Sequence, residues 1–331
     1  MVIYLGVLLF SLCIFMAAII PFIDFLYRLK FTYQKPLAPS TNLEAQAFKK
    51  LQKTQFFKFG TPIGGGLLII FFVSILFPII FPVLTRLGFF INSSYPLKEE
   101  LNVIFFTFIS FGLLGLYSDL VKNWKYRLIF KLLLSFFCGL LLYTNLGINS
   151  IFLPFIGSLK FGVFYPFLAG FIIFLFARAY NITDGLDGLA IGNLIICLFA
   201  FWVISVSSFD TPISIFISLW LSGLITFLYF NIFPARIWLG NSGALSFGAT
   251  FALLGLILGK IAPLLIIGGV FLLEFSSWAI QIISVNLFHH KIFSITPLHY
   301  WLNSIGWPEP KIVMRSWLFG IILAFIGLWL S

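Results

Sequence analysis

Two aspartates stand three residues apart in a glycine-broken segment, NITDGLDG at 181–188, between two long apolar runs. This spacing allows the carboxylates of Asp184 and Asp187 to converge where a helix begins. The positive end of such a helix keeps carboxylates ionised and favours a bound phosphate. A capped helix start with a glycine turn would need only one aspartate. We therefore interpret the pair as a site of chemistry on a phosphate group.

Only ten carboxylates occur in the 331 residues, so each can be considered by its position. Asp119 ends an apolar run. Glu274 lies inside another, where an ionisable residue is costly and is taken as functional by default. The alternative for Glu274 is a structural ion pair, with Arg178 or Lys131 as its partner. Five carboxylates are interpreted as ordinary solvated loop charges: Glu44, Glu99, Glu100, Asp210 and Glu309.

We interpret each histidine and cysteine from the residues that surround it in the sequence. His299 follows a proline in an aromatic-rich segment, and we expect it to lie in a turn that faces the same surface as Asp184. The adjacent His289 and His290 have no further ligand at metal-binding spacing, so we interpret them as interfacial residues. The three cysteines are scattered through apolar runs, which indicates small hydrophobic residues rather than a zinc site.

The elements that position these residues are predicted from hydrophobicity. The chain is 61% hydrophobic and 9% charged, whereas a soluble domain is about 45–50% apolar and about 25% charged. One span needs about 20 apolar residues. The pattern predicts an all-α polytopic membrane protein, a single domain over 1–331, with about ten transmembrane helices. The predicted spans are 2–27, 62–84, 101–119, 128–146, 161–179, 189–207, 212–230, 242–259, 263–285 and 315–331.

The distribution of Lys and Arg predicts the orientation. With the N-terminus outside, the cytoplasmic loops lie near 28–61, 120–127, 180–188, 231–241 and 286–314, and both termini are outside. Of 20 basic residues, those left outside are Arg86, Lys98, Lys160 and Lys260. All the candidate residues then share the cytoplasmic face. This bias and attraction to anionic membrane lipid explain the net charge of +10, so no nucleic-acid partner is expected.

Four sequence blocks, in matching order, resemble the polyprenyl-phosphate N-acetylhexosamine-1-phosphate transferases. They are KFGTPIGGG at 58–66, NITDGLDGLA at 181–190, NIFPARIWLGNSG at 231–243, and IFSITPLH at 292–299 followed by GWPEPK at 306–311. The second and fourth blocks are highly specific. The GWPEPK run is similar to the branch of the family that transfers a muramoyl peptide, and the whole resemblance extends from about residue 45 to the C-terminus.

The resemblance implies an activity and its partners. Phospho-N-acetylmuramoyl-pentapeptide would pass from its UDP carrier to undecaprenyl phosphate, with release of UMP and use of Mg²⁺, at the bacterial cytoplasmic (inner) membrane. The lipid phosphate is itself the nucleophile, so the protein mainly positions groups and screens charge. Membrane lipid and a second copy of the chain, in a homodimer, are the further partners considered.

The resemblance also implies a role for individual residues. Asn181 and Asn241 would hold Mg²⁺. Catalytic roles are implied for Asp119, Asp184, Asp187 and His299, and substrate-binding roles for Lys58, Lys122, Asn231 and Trp238. Two alternatives remain open, because Trp238 could be an interfacial belt residue and Lys58 one of many inward-facing charges.

The chain departs from the family pattern at the expected site. Ser118 replaces the first residue of an Asp-Asp pair, and Asn241 replaces the aspartate of a G-D-x-G motif. Tyr300 and Trp301 replace two of three consecutive histidines. Three hypotheses stay open. They are an active muramoyl-type transferase, a same-fold transferase with another UDP-N-acetylhexosamine donor or altered metal use, and a catalytically silent membrane paralog that binds lipid phosphate or scaffolds a complex.

Overall fold

A computed structural model describes residues 2–32, 60–121, 124–154 and 156–331. Within these residues the chain forms helices and one antiparallel hairpin of β1 (Ser150–Leu153) and β2 (Gly157–Lys160). The helices are α1 (Val2–Arg28), α2 (Gly65–Arg86), α3 (Leu97–Leu120), α4 (Arg127–Leu146), α5 (Tyr165–Thr183), α6 (Leu189–Ser207), α7 (Thr211–Asn231), α8 (Gly240–Ile257), α9 (Ile261–Ile267), α10 (Gly269–Phe288), α11 (Leu298–Ser304) and α12 (Glu309–Trp329).

Ten helices in the described part of the chain are long and apolar enough to cross a membrane. The protein is therefore an all-α polytopic membrane protein, and the predicted spans are confirmed apart from their ends. α5 continues to Thr183, so Asn181 lies in the last turn of a helix and not in a loop. The predicted ninth span is divided at Gly268 into α9 and α10. α12 begins at Glu309 rather than 315, because its charged first turns end the hydropathy signal but do not end the helix.

The centre of the bundle is formed by α6, α7 and α8. We compared the buried share of residues in the most apolar stretch of each helix. This share is 89% in α8 but only 28% in α1, α4, α10 and α12. α8 packs against α2, α3 and α5. On the outer helices, Leu113, Phe171 and Leu318 are 60–63% exposed. Such exposure is costly in water but suits a surface that contacts lipid.

An aromatic layer fills the middle of the bundle, where α3, α7 and α8 meet. It consists of Phe108, Phe216, Trp220 and Phe247, all fully buried. Ring centroids are 5.3 Å apart for Phe108 and Phe216, 5.5 Å for Phe108 and Trp220, and 5.3 Å for Trp220 and Phe247. These edge-to-face contacts are the preferred geometry of aromatic pairs. They fix the three helices against one another in the apolar middle of the molecule.

Glycines allow α8 to approach α2 and α3 closely at one end. A Cβ atom on Gly66 would lie 2.2 Å from the Cα atom of Gly243. A Cβ atom on Gly115 would lie 2.2 Å from the carbonyl oxygen of Asn241. Neither separation is possible between real atoms, so only glycine permits these backbones to meet. The contact brings the end of α3 against the start of α8.

We expect Gly115→Ala to lower the melting temperature of the purified protein in detergent, because the new methyl group forces α3 away from α8. Overpacking of this kind costs about 1–3 kcal/mol. Gly6→Ala on α1 is the matched control, since a Cβ atom there meets nothing within 4 Å. Equal melting temperatures for the two variants would contradict the close contact.

Two carboxylates at the opposite end of the bundle are not the solvated loop charges that we expected. Glu100 and Asp210 are buried. Asp210 Oδ1 accepts a hydrogen bond from the Ile213 backbone N–H at 3.1 Å and so caps α7, and Glu100 accepts from the Ser93 hydroxyl group. Sequence position does not reveal such partners, which is why the expectation was wrong. Glu44 lies outside the described residues.

Candidate active site

The four sequence blocks meet at one end of the bundle, the motif end, formed by residues 60–64, 184–188, 232–239 and 289–308. The backbone N–H of Trp238 donates to the Pro62 carbonyl group at 2.8 Å and joins the first block to the third. The Tyr300 hydroxyl group donates to the Gly185 carbonyl group at 3.3 Å and joins the second block to the fourth. Segments far apart in sequence therefore form one surface.

A chain of hydrogen bonds links Asp119, Asn241 and Asn181 across three helices. Asp119 Oδ1 accepts from the backbone N–H of Asn241 at 3.1 Å and from its Nδ2 atom at 2.7 Å. Asp119 Oδ2 accepts from the backbone N–H of Ser242 at 3.2 Å. Asn241 Oδ1 in turn accepts from Asn181 Nδ2 at 2.8 Å. The network joins α3, α8 and α5.

This network exists because α8 begins without a capping side chain of its own. The first backbone N–H groups of a helix need acceptors, which an aspartate supplies well. Asp119 supplies them from the end of α3. Gly240 makes the approach possible, because its φ of 78° favours glycine and a Cβ atom there would lie 3.0 Å from Asp119 Oδ2. The Asp119 side chain, from the neighbouring helix α3, thus accepts the hydrogen bonds that an N-cap side chain of α8 would otherwise accept.

The two aspartates of the second block occupy different positions. Asp184 ends α5, whereas Asp187 comes just before Gly188, the N-cap of α6. The expectation that both lie at a helix start is therefore wrong for Asp184, because α5 extends further than predicted. Asp187 is buried and its Oδ2 atom accepts from the Ala235 backbone N–H at 3.0 Å. Asp187 thereby ties the second block to the third.

Glu309 lies in the candidate site, where the sequence reasoning did not place it. It is buried, and its Oε1 atom accepts from the Asp187 backbone N–H at 2.7 Å. The expectation of a solvated loop charge was wrong, because the first turn of α12 folds against the second block. The signal that could have identified it was its place inside the GWPEPK run.

Both the oxygen and the nitrogen of the Asn231 side-chain amide form hydrogen bonds with backbone groups. Its Oδ1 atom accepts from the Gly188 backbone N–H at 3.0 Å, and its Nδ2 atom donates to the Ile237 carbonyl group at 2.8 Å. Asn231 is also buried. In this structure it holds the second and third blocks together, and its predicted contact with the nucleotide remains a prediction. Trp238 is half-buried beside the first block.

His299 is paired with Glu274. The residue lies in the short helix α11 and not in the expected turn, and it is fully buried. Glu274 Oε2 lies 3.0 Å from His299 Nδ1 and accepts from the backbone N–H of His299 at 3.2 Å. Glu274 therefore pairs with a histidine, where Arg178 or Lys131 was the expected partner. The Cζ atom of Arg178 lies 5.2 Å from the Trp278 ring centroid.

The other residues singled out in the sequence differ in where they lie. His289 and His290 are exposed, as an interfacial role requires. Lys58 and Lys122, both predicted to bind substrate, lie outside the described residues. Tyr300, which stands where the family pattern has a histidine, donates its hydroxyl group to the second block.

The residues present do not fit an ordinary Mg²⁺ site. Mg²⁺ prefers octahedral oxygen ligands that include carboxylates. Asn241 Oδ1 is occupied by Asn181, and Asp119 accepts three hydrogen bonds. Within the described ranges, no group of three or more His, Cys, Asp or Glu side chains could hold a metal ion. The expected ligands are therefore bonded to one another.

Comparisons with known proteins place the chain in a family. Residues 101–259 match the family model described as glycosyl transferase family 4. The phospho-N-acetylmuramoyl-pentapeptide transferase of Clostridium beijerinckii is 31% identical over 319 residues, which cover 92% of this chain and 90% of the relative. The enzyme of the same name from Borrelia hermsii is 34% identical, covering 82% of each chain. The chain belongs to glycosyl transferase family 4, with the phospho-N-acetylmuramoyl-pentapeptide transferases.

Proposed function

We propose that the protein transfers phospho-N-acetylmuramoyl-pentapeptide from its UDP carrier to undecaprenyl phosphate, forming the first lipid-linked intermediate of peptidoglycan synthesis. The observation that carries the proposal is the similarity over 92% of the chain to a relative named for this transfer. The meeting of all four blocks at one end of a membrane bundle supports it. One substrate is a lipid and the other is soluble, so their phosphates can meet only at the membrane boundary.

The proposed reaction is a displacement at phosphorus. An oxygen of the lipid phosphate attacks the phosphorus that carries the sugar, and the bond from that phosphorus to the bridging oxygen breaks. UMP leaves with the electron pair of that bond. The main task of the protein is to bring two anionic groups together and to screen their charge. No step is assigned to Mg²⁺, because the side chains present fit it poorly.

The protein's own positive groups support this charge screening. Lys131 of α4 is buried and lies within electrostatic reach of Asp119, Arg127 and Arg178. The N-terminus of α8 adds its helix dipole beside Asp119. We propose that these groups replace part of the charge that a tightly held cation would supply.

We further propose a bacterial cytoplasmic membrane location, with the motif end in the cytoplasm and both termini outside. The distribution of Lys and Arg supports this orientation. We also propose that residues 1–331 act as a single membrane domain and that the functional unit is the chain alone or a homodimer.

The test uses the purified protein in detergent with undecaprenyl phosphate and a UDP-sugar, with UMP release and the lipid product measured together. We expect UMP only with UDP-N-acetylmuramoyl-pentapeptide, and far less with UDP-N-acetylglucosamine. Each assay is run with Mg²⁺ and with a chelator. If product forms only with another UDP-sugar, that sugar is the donor and the proposed one is not. Absence of product from every donor, restored by Ser118→Asp combined with Asn241→Asp, would indicate a silent paralog.

A further inference from the structure

Two positively charged side chains of α12 converge on one aromatic ring at the motif end. The Nζ atom of Lys311 lies 4.7 Å from the centroid of the Trp307 ring, and the Cζ atom of Arg315 lies 4.5 Å from it. Both charged side chains are exposed, whereas Trp307 is half-buried. The face of an aromatic ring attracts a cation, so Trp307 holds the two charges close together.

The Trp307 ring is itself packed against the second sequence block. It contacts a small apolar cluster in which all four residues are buried. They are Leu186, Leu189, Ile312 and Val313. The Trp307 carbonyl group also accepts a hydrogen bond from Asn303 Nδ2 at 3.2 Å. The two cations therefore lie beside a well-packed residue and not on an isolated surface turn.

The described part of the chain provides no paired carboxylate for the two cations. Lys311 and Arg315 stand four residues apart on one helix, where like charges repel. Neither forms an ion pair with a carboxylate among the described residues. The acidic residue nearest in sequence, Glu309, accepts instead from the Asp187 backbone N–H at 2.7 Å. One anion in contact with both cations would offset their repulsion, so the pair suits an anionic ligand.

The face of α12 that continues from the pair into the bundle is apolar and exposed. Leu318, Ile322 and Phe325 are 55–69% exposed. Together with Lys311 and Arg315 they follow the three- and four-residue spacing of a single helix face. The pair therefore marks the level at which this face changes from charged to apolar. A ligand with a negative head group and an apolar chain matches both parts.

We propose that Lys311 and Arg315 bind the phosphate of an anionic phospholipid in the leaflet at the motif end, with an acyl chain along the apolar face of α12. A soluble anion would make no use of that face. The ligand is a lipid of the surrounding membrane and not a substrate, so the inference does not depend on the proposed reaction. A bound phospholipid would stabilise the first turns of α12, where Glu309 contacts Asp187.

The test is native mass spectrometry of the purified full-length protein in detergent, titrated with phosphatidylglycerol or with phosphatidylcholine of the same acyl chains. We expect phosphatidylglycerol to bind more tightly, because of the two lipids only it carries a net negative charge. Lys311→Gln combined with Arg315→Gln should weaken phosphatidylglycerol binding about 10–30-fold, the effect of losing two cations beside an anionic lipid. Binding of phosphatidylcholine should be unaltered.

Two matched variants separate a defined site from general attraction. Lys311→Arg combined with Arg315→Lys keeps both charges and should retain the affinity for phosphatidylglycerol. Arg28→Gln combined with Lys291→Gln also removes one Arg and one Lys from exposed positions at the same end of the bundle, and should bind like the unmodified protein. Equal binding of the two lipids, or an equal loss of affinity in this control, would overturn the inference.

Competition identifies the occupant. Glycerol 3-phosphate and inorganic phosphate share the head-group chemistry but have no acyl chain, so they should leave the phospholipid bound. Displacement by either at the concentration of the phospholipid would indicate a phosphate site without lipid preference, against the proposal. Displacement by UDP-N-acetylmuramoyl-pentapeptide or by undecaprenyl phosphate at that concentration would assign the two cations to a substrate, and would also count against it.

Discussion

Replacing Asp119 with asparagine is expected to lower UMP release by about 10²–10³-fold, the range seen when a single stabilising group is removed from an active site. The carboxylate accepts three hydrogen bonds from the start of α8. Asparagine offers one acceptor oxygen, and its NH₂ group would face N–H donors. Hydrogen bonds to charged groups are worth about 1.5–3 kcal/mol each, so the melting temperature should fall as well.

Asp24→Asn is the matched control for Asp119→Asn, because it removes an exposed carboxylate from α1. UMP release and thermal melting are measured for both variants under the same conditions. The control should behave like the unmodified protein in both assays. An Asp119→Asn variant with full UMP release would show that the network linking α3, α8 and α5 is not part of the proposed site.

Asn241→Asp is expected to make the stability of the protein depend on divalent cations. Asparagine suits this position because it donates to Asp119 and accepts from Asn181 at once. An aspartate would place a second carboxylate against Asp119, and like charges repel. Without a divalent cation the melting temperature should drop. With Mg²⁺ the two carboxylates become ligands. A free Mg²⁺ concentration of about 100 times Kd would raise the free energy of unfolding by about 2.7 kcal/mol.

The measurement is thermal melting over a Mg²⁺ titration, with the unmodified protein expected to show little dependence. Asn145→Asp is the matched control, because Asn145 Nδ2 donates to Glu99 Oε2 at 3.1 Å at the opposite end of the bundle. That substitution also creates an acidic pair, but away from the motif end. Strong Mg²⁺ stabilisation of the unmodified protein would contradict the view that its donor set fits the ion poorly.

The spans could be predicted from the sequence because each is a long apolar segment with charges at its ends. The helix ends could not, since hydropathy reports the cost of burial and not backbone hydrogen bonding. α5 therefore continues to Thr183 beyond its apolar stretch, and α12 starts at Glu309 among charges. The hairpin at β1 and β2 is too short to give a strand pattern.

The site could be predicted as a set of residues but not as a set of bonds. The resemblance named Asp119, Asn181 and Asn241, yet their direct contact depends on backbone approach at Gly115 and Gly243, which no spacing reveals. The pairing of Glu274 with His299 was missed for a related reason. A charge inside a span needs a partner, but the sequence does not say which loop folds back to supply it.

The aromatic layer between the two ends of the bundle has a consequence for where the product goes. Tightly packed rings offer no solvation to an ion, so a diphosphate group could not pass through α3, α7 and α8 at that level. A sugar-bearing lipid made at the motif end would be released into the same leaflet that supplied its carrier. Its passage to the other side of the membrane would then require a separate protein.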